Sequence, residues 1–107
     1  MITIPHDVGA ERAILGAVLL SPDTFHRAEA DGINRDSFYR EPHRLLWQVF
    51  AHLIKSGSTI DMVTVSGELE RRKKMDAIGG YSYLAGFSAS CPGVVDAPHY
   101  ADVMLRH

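Results

Sequence analysis

Apolar positions along this chain recur at helical spacing. In the first segment Ile14, Leu15, Val18 and Leu19 share one side, while Ala13, Gly16 and Ala17 keep the other side small. A helix that is apolar or small nearly all round is buried on several sides, so residues 8–20 are read as the central core helix. Asp7 is its N-cap candidate, and Glu11 sits where the helix dipole favours negative charge. Gly16 lowers helix propensity by roughly 1 kcal/mol against alanine, and close approach of a neighbouring helix is the expected compensation.

The same reading continues down the chain. Ser21 as N-cap with Pro22 at the first helical position predicts a second helix, with Phe25 and Ala28 as its stripe and Asp31-Gly32 as its stop. Residues 34–39 read as a turn leading into one helical turn, anchored by Phe38 and Tyr39. Glu41-Pro42 opens the longest helix, which Gly57 ends; Leu46, Val49, Phe50 and Leu53 form its stripe. Trp47 falls at the edge of that stripe, where a tryptophan roofs the core or, less often, anchors a partner.

Asp61 is the best cap in the sequence, placed to take the free amide of Val63 or Thr64. Val63-Thr64-Val65 alone favours a strand, but the cap and Leu69 at helical spacing from Val65 predict a helix to about residue 72. Gly79-Gly80 makes a joint, and Tyr81, Leu84 and Phe87 then mark a short amphipathic helix. Cys91-Pro92-Gly93 reads as a loop, and Asp96-Ala97-Pro98 opens a last helix through Tyr100, Val103 and Met104 that reaches His107 without a stop signal. The expectation is one compact, bundle-like all-α domain over residues 1–107, of about six helices, cut in mid-helix.

Charge narrows the function classes. Thirteen acidic residues against 11 basic ones give a formal net charge of -2, whereas a dedicated duplex-DNA binder carries a basic excess to neutralise phosphates. Cys91 is the single cysteine, so no intrachain disulfide is possible and a reducing cytoplasm fits. The uncharged run of residues 13–22 falls far short of the roughly 20 residues that span a bilayer.

A set of short patterns runs in fixed order through the chain. It comprises Ala10-Glu11-Arg12-Ala13-Ile14-Leu15-Gly16, Phe38-Tyr39, His43-Arg44-Leu45-Leu46-Trp47, Ile60-Asp61-Met62-Val63-Thr64-Val65 and Gly79-Gly80-Tyr81-Ser82-Tyr83-Leu84. As an ensemble it resembles the N-terminal domain of the DnaB-type replicative DNA helicases. The resemblance implies a helical, non-motor module that builds the collar of a hexameric ring and receives a DnaG-type primase, with a helicase loader as a further partner. It also implies that ATP and Mg act in a separate C-terminal motor, so that the parent is an ATP-dependent helicase of the cytoplasmic replisome. No catalytic residue is implied. Glu11, Gly16, Tyr39, His43, Asp61, Gly79, Gly80 and Tyr100 are the motif positions and are read as fold determinants. Pairing in that family also uses a helical hairpin that would begin where this chain ends, so this chain is expected as a monomer or weak dimer.

Other chemistry finds little support. No GxxxxGK[ST] cradle for phosphates is present, so no nucleotide cofactor is expected in this chain. The six histidines, at 6, 26, 43, 52, 99 and 107, form no HxxxH or HExxH pair, so no metal is expected either. Cys91 with His99 makes a poor nucleophile and base without an oxyanion-hole signature. Arg71-Arg72-Lys73-Lys74 reads as a solvated helix end, where cations suit the dipole, or as a patch for DNA or an acidic partner. Phe38-Tyr39 and Tyr81-Tyr83 could stack on bases, but they sit among aliphatics at helical spacing, where core packing is the simpler account. The rival functions are a small helical DNA-binding protein using residues 71–74 and a stand-alone helicase-loader or phage accessory protein.

Overall fold

The computed structural model describes residues 7–89 and 93–106, and there it is all-helical. Seven α-helices run in order: α1 (Val8–Leu20), α2 (Asp23–Ala30), α3 (Glu41–Lys55), α4 (Met62–Arg71), α5 (Met75–Ile78), α6 (Tyr81–Ala89) and α7 (Ala97–Arg106). Two 3-10 turns, Arg35–Ser37 and Val94–Asp96, precede α3 and α7. That is one α-helix more than the periodicity predicts. The addition is α5, whose four residues are too few to show a period.

The all-round apolar character of α1 has its counterpart in space. α1 packs most extensively on α6 and α7, with α2 and α3 completing its surroundings. Ile14, Leu15, Ala17 and Val18 lose all solvent contact, and Gly16 is buried among them. Asp7 caps this helix, its carboxylate accepting the Ala10 N–H at 2.9 Å. α4 instead packs mainly on α3 and α5, through Val65 and Leu69.

Asp61 and Thr64 form a reciprocal capping box at the start of α4. The Thr64 N–H donates to Asp61 Oδ1 at 2.8 Å, and the Asp61 N–H donates to Thr64 Oγ1 at 3.0 Å. Two orphan amides are thereby satisfied, which turns a β-prone Val-Thr-Val run into a helical first turn.

α2, α3, α4 and α5 end alike, with an N–H reaching back five residues to a carbonyl: Ile33 to Ala28, Ser58 to Leu53, Lys74 to Leu69 and Gly80 to Met75. The residue before each of these donors takes positive φ. Three of the four are glycines; the fourth is Lys73, at φ 58.

Three expectations need correction. α2 begins at Asp23 with Pro22 at the N-cap, not with a Ser21 side-chain cap. Ser21 serves both helices through its backbone, its N–H donating to the Ala17 carbonyl at 2.8 Å and its carbonyl accepting from Thr24 at 2.9 Å. Tyr39 is 44 % exposed, so of the two rings only that of Phe38 is buried in the core, while Tyr39 is held through its backbone. Trp47 is only 4 % exposed, stacked on Phe25 with ring centroids 4.4 Å apart and tilted against Phe38 at 5.4 Å. Its ring is a core element, which removes it as a partner anchor.

Candidate functional site

Glu11 lies in the first turn of α1, and its neighbours there cannot satisfy it. Its side chain is 2 % exposed, and its partners arrive from the start of α3. Oε1 lies 2.7 Å from His43 Nδ1, and Oε2 accepts the Tyr39 N–H at 2.9 Å. On the far side of the imidazole, Nε2 lies 3.3 Å from the Tyr83 hydroxyl of α6. A carboxylate at Nδ1 fixes that nitrogen as a donor. One polar line therefore joins α1, α3 and α6.

The walls of this knot are aromatic. Phe87 meets the His43 ring edge-on at 5.5 Å and Tyr83 at 5.1 Å. The Arg12 guanidinium carbon stands 4.8 Å from the Tyr83 ring centroid and 4.7 Å from that of Phe87, a cation–π contact with both. Gly79 closes the corner at φ 106, and a Cβ there would lie 3.0 Å from Tyr83 ring carbons. Glycine is required twice at this position, for backbone conformation and for space. Gly80, also at positive φ, has open space around it.

Burial pushes the Glu11 carboxyl up, but the hydrogen bonds from His43 and from the Tyr39 amide outweigh it and hold the group below the ordinary value. A Glu–His–Tyr line can serve general-base catalysis where a substrate reaches it. Here His43 is 0 % exposed and Tyr83 at the far end is half-buried, so the imidazole is closed to substrate and the line holds α1, α3 and α6 together.

The basic run 71–74 takes a different form. Arg71 donates to both oxygens of Glu68, from Nε at 2.9 Å and from Nη2 at 2.6 Å, and Arg72 Nε donates to Oε2 at 2.6 Å. These hydrogen bonds, Arg71's first, hold the Glu68 carboxyl at about 2. His52 Nε2 on α3 stands 3.7 Å from the same carboxylate. Two of the four cations are therefore engaged within α4, while Lys73 and Lys74 are exposed. The patch is smaller than the sequence suggests.

Of the motif positions, Glu11, Tyr39, His43 and Gly79 converge on the knot. Asp61 stands apart at the α4 cap, Gly16 lies within the buried α1, and Tyr100 is partly buried against the core from α7. Tyr83 and Arg12 complete the knot unforeseen. Both lie inside the quoted patterns, and Tyr83 is spaced to share a helix face with Phe87, but neither signal names a partner. Glu68 was missed too, although it precedes Arg71 and Arg72 by three and four residues, a spacing that pairs charges on a helix.

Among the described residues, no group of three or more His, Cys, Asp or Glu could hold a metal ion, and no helix is long and apolar enough to cross a membrane. Cys91, His6 and His107 lie outside the described residues, and with them the Cys91–His99 pairing and most of the 91–93 loop.

Residues 3–106 match the family described as the DnaB-like helicase N terminal domain. The chain is 35 % identical over 100 residues to the replicative DNA helicase DnaB of Haemophilus influenzae, covering 94 % of this chain and 21 % of that helicase. It is 32 % identical over 100 residues to the replicative DNA helicase DnaC of Bacillus subtilis, covering 94 % and 22 %. It thus spans about a fifth of the length of these relatives. Among solved structures, the N-terminal domain of DnaB helicase from Mycobacterium tuberculosis superposes with a TM-score of 0.90 at 32 % identity, covering 97 % of this chain and 72 % of that one. A DnaB-like replicative helicase at 19 % identity shares the fold, with a TM-score of 0.83 over 94 % of this chain and 23 % of its own. This chain belongs to the family of DnaB-like helicase N-terminal domains.

Proposed function

We propose that this chain is the non-catalytic N-terminal domain of a hexameric replicative DNA helicase, acting in collar assembly and primase recruitment at the replication fork. The observation that carries the reading is the likeness to the Mycobacterium tuberculosis domain along 97 % of the chain. The second helicase of the same fold was described with its interactions with primase, which supports primase as the partner here. In this reading ATP and magnesium act in the parent's motor, and this chain supplies protein surface. A formal net charge of -2 and the engagement of Arg71 and Arg72 by Glu68 favour a protein partner over phosphate.

Sedimentation of this chain and of the whole parent helicase, each alone and with the cognate primase's C-terminal domain, tests the proposal. The chain alone should run as a monomer or weak dimer. The parent should form rings and bind the primase domain better than the chain does. Tight DNA binding by the chain at physiological salt, with no primase binding by either protein, would establish the DNA-binding alternative instead.

A further inference from the structure

We draw no further inference here: the strongest candidate, the outer face of α4 where the exposed Val63 stands one turn before Gly67, carries nothing because nothing in the structure shows what covers it.

Discussion

Glu11 and Glu68 are both withdrawn from solvent, at 1 % and 8 % exposure, and both hold basic side chains. The partners of Glu11 arrive from 28 and 32 residues away in sequence. The guanidinium partners of Glu68 sit three and four residues along its own helix. A local pair restrains a helix that other forces have already formed. A sealed, long-range pair restrains how helices meet, and removing one member strands a charge where water cannot reach it. Burial alone does not separate the two glutamates; the distance along the chain to their partners does.

The strongest way to break this contrast is His43→Ala. It leaves the Glu11 carboxylate enclosed without its ring partner, at an expected loss of about 3–5 kcal/mol. Native domains are stable by only about 5–15 kcal/mol, so this variant should approach unfolding. Urea titration followed by circular dichroism checks it, and a midpoint near that of the parent chain would show that the knot does not matter.

Gly79→Ala should come next. The left-handed backbone alone costs a non-glycine residue about 1–2 kcal/mol, and the methyl would press on Tyr83 as well. Gly80→Ala isolates the backbone part, because a Cβ there meets nothing within 4 Å. Equal losses in the two variants would mean that the Tyr83 contact gives way freely.

Gly67→Ala should move stability the other way. Gly67 lies inside α4 and a Cβ there meets open space, so alanine should gain about 0.5–1 kcal/mol from helix propensity. A higher thermal midpoint is the expected result; a loss would reveal a contact not visible in this chain.

The smallest effect, and the sharpest comparison, is in acid. Both glutamates are held below the ordinary value of 4.5, Glu68 at about 2. A lowered folded-state value means that each contribution is fully present above pH 4.5 and is lost as pH falls through the folded value. Glu68→Gln should flatten the stability profile only slightly between about pH 4.5 and 2, and added salt should erase that difference. Glu11→Gln should also flatten the acid limb, but with little response to salt, because the His43 ring is shielded from ions. Denaturant midpoints at stepped pH and two ionic strengths separate these outcomes. Identical salt sensitivity in both variants would dissolve the distinction.

What could be read beforehand follows the same division. α1 was legible from end to end, with Asp7 as its cap, because an apolar period and a capping side chain are local signals. Asp61 was legible for the same reason, and its capping box overrides the β preference of Val63 and Val65. The knot was not. Periodicity tells which face of a helix turns inward, not which residue 32 or 40 positions away will meet it. Trp47 was ambiguous from its stripe-edge position, and only the arrival of Phe25 and Phe38 from other segments decides that it is core. Lys73 in a left-handed conformation carried no signal at all, since glycine is the residue that announces such an end.

The central place of α1 has a consequence for synthesis. Its packing partners α6 and α7 are made after α2 to α5, so an almost wholly apolar segment leaves the ribosome well before its cover exists. After Leu20 the ribosome adds 86 residues to complete α7 at Arg106. At about 5–20 residues per second, translation leaves α1 incompletely covered for roughly 4–17 s. During that interval α2 and α3 are the earlier helices that shelter it most, so the hydrophobic surface of α1 stays partly open until the chain reaches α6 and α7.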